Sequence, residues 1–414
     1  MIMALHKKYY QLISTLGVIL DRDDKEKLNH GLRTAIIAAN LAQKLIPEKQ
    51  TLLFYIGLLH DVGGVGLPHH IVHYALQREE TIPRVYQHPD KGAEVISHLP
   101  GLKEGTEYVR DHHERWDGSG YPGRKNKADL SMGSQVLLLA DQLDLKIRAL
   151  HDNRTEIYNY FRRQKGKMFN PELWPALLDI IGTSGDAIFD RIVKDSNLSI
   201  LAKELRAKLP PLQFESTEED HILQAVRVFG QVIDAKHPYT KGHSRRVALY
   251  GHQIGTHLGL NQDMLRDIKI AGYLHDLGKV AIPLDILEKT TDLTNDEYKK
   301  VKSHVMMTME LLDYIPFLRH LSPIAGGHHE RWDGNGYPDG LKAEEIPLGG
   351  RILALADVLD ALTSDRSYRE ADSIDQVAAK LIPEKGQHFD PEIVSLLEDE
   401  QVREELNAIR INNS

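Results

Sequence analysis

Apolar residues recur every three or four positions over long stretches of the chain, which is the spacing of one buried face of an α-helix. Two such stripes in the second half are Val247, Tyr250, Ile254 and Leu258, then Met264, Ile268, Ala271 and His275. Gly278 follows the second stripe and is expected to end that helix. Thr294 and Glu297 have the spacing of a capping box, which predicts the start of a further helix. No clean alternation of apolar and polar residues appears, so the pattern predicts an all-α fold.

The chain carries this helical pattern twice. The string HHERWDGSGYP begins at His112, and HHERWDGNGYP begins at His328, 216 positions later, with one residue changed. Other stretches recur at offsets between 213 and 220 positions. A repeat of nearly half the chain is too long for a solenoid, so it predicts a duplicated domain.

Proline and acidic residues mark the boundary between the two copies. Pro210 and Pro211 are followed by the acidic run ESTEED at 215–220, a composition that is typical of a linker. We therefore predict a first domain at residues 1–208, a linker at 209–219 and a second domain at 220–414.

Composition narrows the classes of protein that fit. The 414 residues carry a net charge of −9, which does not favour binding to a nucleic-acid polymer. There is no Cys, which excludes disulfides and Cys-ligated zinc. The apolar run at 12–20 is too short to span a membrane, so we expect a soluble, cytoplasmic protein. The 22 His residues are informative because His is a common ligand of divalent transition metals.

A set of His and Asp residues in the second half has the pattern expected of metal ligands. These seven residues are His243, His275, Asp276, His304, His328, His329 and Asp357. A single His on an apolar stripe is usually a hydrogen-bonded core residue, but this set recurs in order in both halves. Imidazole and carboxylate ligands suit Fe, Mn, Zn or Ni. Seven ligands suit two metals that share a carboxylate, a standard device for phosphoester hydrolysis.

Four segments of the second half resemble the HD-GYP family, a branch of the HD-domain metal phosphohydrolases. They are HDLGKVAIPLDIL, HHERWDGNGYPDGL, IPLGGRILALADVLDALTSDRSYR and GQHFDPEIV, within residues 220–400. The resemblance implies two tandem HD-type helical domains that cleave bacterial cyclic dinucleotides to a linear 5′-phosphorylated dinucleotide. The family's substrates are cyclic di-GMP and, in some members, 3′,3′-cyclic GMP-AMP. Tandem members with an altered first copy are most similar to this chain, and the resemblance associates those members with the hybrid substrate.

The resemblance also implies a role for each ligand. It assigns one metal to His243, His275, Asp276 and Asp357, and a second metal to Asp276, His304, His328 and His329, with Asp276 bridging. Some family members add a Glu four residues before the first His and hold three metals. That position is Tyr239 in this chain, so we expect two metals in the second domain.

Cations near the ligands are expected to bind the phosphate of the substrate. Lys279 resembles the family lysine that faces the reacting phosphate as a charge stabiliser or proton donor. Arg366 and Arg369 are three residues apart, so on a helix they would share a face and clamp phosphate, although either could instead be a solvated surface charge. The expected wall of the pocket is the segment Gly336, Tyr337 and Pro338.

The first copy keeps the ligand pattern without these cations. Its candidate ligands are Glu26, His30, His60, Asp61, His88, His112, His113 and Asp141. At the offsets of the repeat, Gly64 stands for the lysine, and Leu150 and Asn153 stand for the two arginines. We expect the first domain to hold metal, or to have held it once, without catalysis, and to contact the second domain as a regulatory or structural partner. Arg148 and Arg154 lie nearby and would restore charge in a shifted register, so a weak second phosphodiesterase stays open.

Two other functions stay open on the sequence alone. One is an HD phosphohydrolase of another nucleotide such as ppGpp, and the other is a sensor that binds a cyclic dinucleotide without cleaving it. The GYP segment disfavours the first function, and the complete ligand set with Lys279 disfavours the second. The sequence also leaves open the identity of the metal, the preferred base and whether the protein forms a homodimer.

Overall fold

The structure, a computed structural model, describes residues 2–22, 29–65, 82–182, 188–214, 218–236, 242–365 and 371–412. Over these ranges the chain forms α-helices and short 3-10 turns, and it contains no β-strand. The predicted all-α fold is therefore confirmed. The chain divides into two compact units, Met1–Ala225 and Val226–Ser414. Within the described ranges, no helix combines the length and the apolar character that crossing a membrane requires.

The first unit is built from short and medium helices. Those described are α1 (Ile2–Arg22), α2 (His30–Leu45), α3 (Gln50–Leu59), α4 (Ile82–Ser97), α5 (Thr106–Arg110), α6 (Met132–Ala149), α7 (Arg154–Gln164), α8 (Trp174–Ile181), α9 (Ile188–Ile192) and α10 (Asp195–Arg206). Helix α11 (Glu218–Asp234) begins in the first unit and ends in the second.

The second unit repeats the same order of helices. Those described are α12 (His243–His257), α13 (Gln262–Leu274), α14 (Leu284–Leu287), α15 (Asn295–Asp313), α16 (Ser322–Gly326), α17 (Leu348–Thr363), α18 (Ile374–Leu381), α19 (Pro391–Ser395) and α20 (Glu400–Asn412). Helices α12, α13, α15, α16 and α17 stand at the positions of α2, α3, α4, α5 and α6. The predicted duplication therefore appears as a repeated helical order.

In each unit the first two helices of the repeat approach each other closely at a glycine. A Cβ atom on Gly272 of α13 would lie 2.6 Å from the Cα atom of Ala248 in α12. The same distance separates a Cβ atom on Gly57 of α3 from the Cα atom of Ala35 in α2. A residue with a side chain would force the helices apart. This close packing sets the beginning of one helix beside the end of the other, where candidate ligands lie.

Residues 210–214 of the predicted linker contact the first unit. Thr51 donates a hydrogen bond to the carbonyl oxygen of Pro210 at 2.8 Å. The ring of Phe214 stacks on the ring of His6, with centroids 5.0 Å apart. The domain boundaries proposed from the sequence stay predictions, and these contacts place the first part of the linker on the surface of the first unit.

Candidate metal centre

The helices of the second unit bring the seven predicted ligands together. His243 begins α12, His275 directly follows α13, and His304 lies inside α15. His328 belongs to a 3-10 turn that follows α16, and Asp357 lies in α17. Their ligand atoms form three overlapping groups, each within 4.8 Å: His243, His275 and Asp276; His275, His328 and Asp357; and His304, His328 and His329. Five of these seven side chains are buried, so the cluster belongs to the interior of the unit.

The carboxylate of Asp276 faces two groups of imidazoles with its two oxygens. Its Oδ2 atom lies 3.5 Å from Nε2 of His243 and 3.3 Å from Nε2 of His275. Its Oδ1 atom lies 3.3 Å from Nε2 of His304 and 4.0 Å from Nε2 of His328. A carboxylate in this position can bridge two metal ions, each with its own imidazole ligands.

Asp357 lies on the side of the cluster that is open to solvent. Its Oδ1 atom is 3.4 Å from Nε2 of His243 and 4.0 Å from Nε2 of His275. The side chain of Asp357 is 17% exposed, whereas that of His275 is fully buried. Of the two carboxylates in the cluster, Asp357 is the more exposed.

Backbone carbonyls fix the orientation of three imidazoles. The Nδ1 atom of His275 donates to the carbonyl oxygen of Gly272 at 2.8 Å. His304 and His328 donate in the same way to the carbonyls three residues earlier, each at 2.5 Å. Because Nδ1 carries the proton in these bonds, Nε2 keeps its lone pair and points into the cluster. This is the arrangement that metal-binding histidines use.

Burial keeps part of the cluster uncharged. It lowers the pKa of His304 to about 4 and that of His328 to about 3, so both imidazoles are neutral near pH 7. Burial also lowers the pKa of His243, but hydrogen bonds to Asp276 and Asp360 outweigh it and raise that pKa to about 10. A metal ion that binds Nε2 of His243 would displace the proton from that nitrogen, while Nδ1 keeps its hydrogen bond to Asp360.

Three buried atoms of the cluster fit a metal ion better than any partner in the protein. Within the described residues, Oδ1 of Asp276 and Nε2 of His304 and His328 have no hydrogen-bond partner. Leaving a buried polar atom without a partner costs about 1–3 kcal/mol. These three atoms face one another where Asp276, His304 and His328 meet. Two divalent cations would satisfy them, so the residues present fit a binuclear centre.

Lys279 lies beside the bridging carboxylate. It belongs to the 3-10 turn Leu277–Ala281, and its ammonium group donates a hydrogen bond to Oδ2 of Asp276. Burial raises the pKa of Asp276, but the charges of Lys279 and His275, with hydrogen bonds from neighbouring imidazoles, hold it well below its usual range. The predicted cation is thus at the cluster and partly exposed, within reach of an anion that binds there.

The GYP segment lies against the cluster, as expected. The ring of Tyr337 stacks on the ring of His329 with centroids 4.7 Å apart, and its N–H donates to the carbonyl oxygen of His329 at 3.1 Å. A Cβ atom on Gly336 would lie 2.4 Å from the backbone nitrogen of Arg331, so this position requires glycine. Glu330 accepts hydrogen bonds from three backbone N–H groups of the following loop. Pro338 follows through a cis peptide bond.

Several residues named from the sequence lie outside the described residues. They are Glu26, Tyr239, Arg366 and Arg369. Their assigned roles therefore stay predictions.

Comparison with known proteins identifies the family of the chain. A family model for the HD domain matches residues 17–173 and 227–393, which is more than half of the chain. The chain belongs to the HD-domain family. Both copies of the repeat are matched, so the duplication is a duplication of this domain. The predicted HD-type domains are thereby confirmed.

Two relatives and one solved structure illustrate the similarity. The 3′3′-cGAMP-specific phosphodiesterase 3 of Vibrio cholerae is 31% identical over 310 residues, which cover 74% of this chain and 65% of the relative. The cyclic di-GMP phosphodiesterase response regulator RpfG of Xanthomonas campestris is 39% identical over 181 residues, 43% of this chain and 48% of the relative. The match therefore spans just under two thirds of the first relative and about half of the second.

The solved structure shows the same fold. A crystal structure of a cyclic GMP-AMP-specific phosphodiesterase of V. cholerae superposes with a TM-score of 0.60, at 24% identity. The superposition covers 94% of this chain and 96% of the other. At this level of identity, the likeness establishes the tandem HD-type fold.

The first unit of this HD-domain protein holds a matching cluster. Oδ2 of Asp61 lies 3.6 Å from Nε2 of His30 and 3.6 Å from Nε2 of His60. Its Oδ1 atom lies 3.7 Å from Nε2 of His88 and 3.7 Å from Nε2 of His112. The ligand atoms form two groups within 4.8 Å: Asp61, His88, His112 and His113, and His30, His60 and Asp141. The structure thus assembles every described ligand that was predicted for the first copy.

The connection that follows the last ligand helix differs between the units. Asn153 caps the N-terminus of α7, and Ser373 caps the N-terminus of α18, so these two positions correspond. Four positions of the sequence, 150–153, separate α6 from α7, whereas ten positions, 364–373, separate α17 from α18. The expected replacements for Arg366 and Arg369 stay predictions, because both arginines lie outside the described residues.

The two arginines near this connection in the first unit have carboxylate partners. The Nε atom of Arg148 donates to Oδ2 of Asp144 at 2.9 Å, and Arg154 pairs with Asp190. The guanidinium of Arg154 also lies over the ring of Phe189, 4.8 Å from its centroid. These pairings weaken the idea that Arg148 and Arg154 replace the missing cations.

The sequence analysis did not predict the aspartate and arginine that lie behind the first histidine ligand of each unit. Asp360 accepts a hydrogen bond from Nδ1 of His243 at 2.7 Å and from Nε of Arg246 at 2.5 Å. In the first unit, Asp144 accepts from Nδ1 of His30 at 2.6 Å and pairs with Arg33. The sequence carried a signal for this layer, because both residues recur at the offset of the repeat. Asp144 and Asp360 are 216 positions apart, and Arg33 and Arg246 are 213 positions apart.

Proposed function

We propose that this chain hydrolyses bacterial 3′,5′-linked cyclic dinucleotides to linear 5′-phosphorylated dinucleotides. The proposed substrates are 3′,3′-cyclic GMP-AMP, cyclic di-GMP or both. The names of the two relatives support this class, and so does the matching HD-domain family. The matched region is shorter than the relatives, so the activity of the whole protein is part of the proposal.

The observation that carries the proposal is the position of Asp276. Its two carboxylate oxygens face separate imidazole groups, as a bridge between two metals requires. The residues that would hold the ions are His243, His275, Asp276, Asp357, His304, His328 and His329. Two divalent transition ions, Fe, Mn, Ni or Zn, would supply an activated water nucleophile and neutralise charge on the phosphate when bound.

The residues around the ligands would bind and orient the substrate. The ammonium of Lys279 would stabilise negative charge on the reacting phosphate, or protonate the leaving oxygen, from its position beside Asp276. Tyr337 would wall the pocket from its stacked position on His329. Arg366 and Arg369 are proposed as further phosphate contacts.

We assign the reaction to the second unit and a supporting, regulatory role to the first. Both units have the ligand cluster, but the first has Gly64 where the second has Lys279. The shorter connection after α6 also removes the segment that carries the two proposed arginines. The first unit would then hold metal without cleaving substrate.

A direct test is turnover of cyclic di-GMP and of 3′,3′-cyclic GMP-AMP by the intact chain, loaded with Mn or with Fe. Separation of the products by chromatography should show a linear dinucleotide with a 5′ phosphate. Binding of either ligand without any product would contradict the proposal in favour of a sensor. Cleavage of ppGpp in preference to both cyclic dinucleotides would contradict the proposed substrate class.

A further inference from the structure

Lys302 forms the next layer outward from the candidate centre. It lies on α15, two residues before His304. Its Nζ atom is 4.8 Å from the ring centroid of Tyr298 and 5.3 Å from the ring centroid of Tyr337. The ring of Tyr337 in turn stacks on His329. Tyr298 is 49% exposed, so Tyr298, Lys302 and Tyr337 form a rim that leads from the cluster to solvent.

The ammonium of Lys302 makes cation–π contacts with two tyrosine rings rather than an ion pair with a carboxylate. Within the described part of the chain, its ammonium makes no ion pair with Asp or Glu, whereas nearby Lys289 pairs with Glu297 at 2.6 Å. A cation within about 6 Å of an aromatic centroid is attracted to the ring, but its own charge is not neutralised. The ammonium of Lys302 is therefore held in place at the rim and stays available to an anion.

The proposed substrate has an anion for this position. A cyclic dinucleotide carries two phosphodiesters in one ring, and the metal centre with Lys279 can engage the one that is cleaved. The second phosphate must also shed bound water when the cyclic dinucleotide enters the site. Burying its negative charge without a positive partner costs free energy. We propose that Lys302 binds the second, uncleaved phosphate of the cyclic dinucleotide, with Tyr298 and Tyr337 holding its ammonium in place. The inference rests on the function proposed above and names a specificity residue for it.

The first unit supports this assignment by contrast. Tyr86 stands at the position of Lys302, two residues before His88. Its ring lies 5.0 Å from the ring of Tyr121, the counterpart of Tyr337. At this position the first unit therefore has an aromatic contact in place of the ammonium of Lys302, so we expect it to bind a second phosphate more weakly.

The test compares two substrates on the intact, metal-loaded chain. One is the cyclic dinucleotide, and the other is bis(4-nitrophenyl) phosphate, which has a single phosphodiester. Lys302→Ala should raise KM for the cyclic dinucleotide by roughly tenfold, the size expected for one hydrogen bond to a charged group, with kcat changed less than about twofold. Its kcat/KM for bis(4-nitrophenyl) phosphate should match that of the unchanged protein.

Matched variants separate charge from structure. Lys302→Arg should keep most of the affinity, since it keeps the positive charge. Lys300→Ala, on an exposed position of the same helix, should behave like the unchanged protein. The KM difference between the unchanged protein and Lys302→Ala should shrink as salt is raised, because ions screen an exposed charge.

Two results would overturn the inference. An unchanged KM for the cyclic dinucleotide in Lys302→Ala would remove its role, and an equal loss with both substrates would make Lys302 a general support of the centre. Failure of the proposed function is a separate result, visible in the unchanged protein. It would cleave bis(4-nitrophenyl) phosphate and leave both cyclic dinucleotides intact, which would overturn both proposals.

Discussion

The last carboxylate ligand has different surroundings in the two units. Asp357 of the second unit is 17% exposed, whereas Asp141 of the first unit is fully buried. The amide of Gln142 donates to Oδ2 of Asp141 at 3.1 Å, and the corresponding residue of the second unit, Val358, has no such donor. The carboxylate that is partly open to solvent in the second unit is thus buried and hydrogen-bonded by a side chain in the first.

The bridging carboxylates also differ in exposure, but here the carboxylate of the second unit is the more buried one. Asp276 is 3% exposed and pairs with Lys279, whereas Asp61 is 13% exposed and has Gly64 at the position of the lysine. The geometry of the ligands survives in both units because it is set by helix packing and by hydrogen bonds to the backbone. The cations around the ligands depend neither on that helix packing nor on those backbone hydrogen bonds. They can therefore be replaced while the arrangement of the metal ligands stays the same. We therefore expect the ability to hold metal and the ability to turn over substrate to be separable in this fold.

Removing one ligand from each unit should give the largest difference between them. His304→Ala deletes an imidazole of the second group, so hydrolysis of the cyclic dinucleotide should fall by about 10³-fold or more. His88→Ala deletes the counterpart in the first unit, and turnover should fall by less than about tenfold. Elemental analysis of the purified variants should show a loss of bound metal in both. Equal activity loss in the two variants would mean that both units react.

Removal of the lysine should separate chemistry from metal binding. Lys279→Ala should lower kcat by about 10²- to 10³-fold, the usual effect of losing one preorganised charge at a reacting group. Metal content should stay at the level of the unchanged protein, since the lysine is not a ligand. Lys299→Ala, at an exposed position that pairs with Asp296, is the control and should have no effect. An unchanged kcat in Lys279→Ala would make the pairing with Asp276 a structural one.

A smaller effect is expected from the carboxylate behind the first ligand. Asp360→Asn keeps the shape of the side chain but weakens its hold on His243, so metal affinity or activity should fall by about 10- to 100-fold. Asp144→Asn should lower metal affinity in the first unit and leave kcat nearly unchanged. The metal affinity of both variants can be measured by titration with Mn. If Asp360→Asn binds and turns over like the unchanged protein, the carboxylate does not orient its imidazole.

The sequence was sufficient to predict the helical fold, and the assignment of the ligands stays a prediction. Apolar spacing and the capping box at Thr294 and Glu297 describe helices that the structure contains. The candidate ligands were visible because they recur as a set. The structure brings the described members together, but in the second unit it groups Asp357 with His275 and His328, whereas the prediction grouped it with His243, His275 and Asp276.

Local geometry was harder to predict where a tertiary contact decides it. Helix α13 ends at Leu274 and not at Gly278, which lies in the 3-10 turn that follows. A Cβ atom on Gly278 would lie 2.1 Å from the carbonyl oxygen of His304, so this glycine serves a close approach between segments. The orienting role of Asp360 was missed for a similar reason, since its recurrence at the offset of the repeat does not show which imidazole it contacts. The rim at Lys302 also depends on rings from two separate segments.

The most direct test of the account is a comparison of Asp61→Ala and Asp276→Ala with the intact chain, all assayed together for hydrolysis and for bound metal. Each variant loses the carboxylate that faces both imidazole groups of its own unit. The account predicts that Asp276→Ala has no measurable hydrolysis, and that Asp61→Ala keeps a substantial part of the activity, although each loses metal. A dead Asp61→Ala beside an active Asp276→Ala would contradict the account and assign the reaction to the first unit.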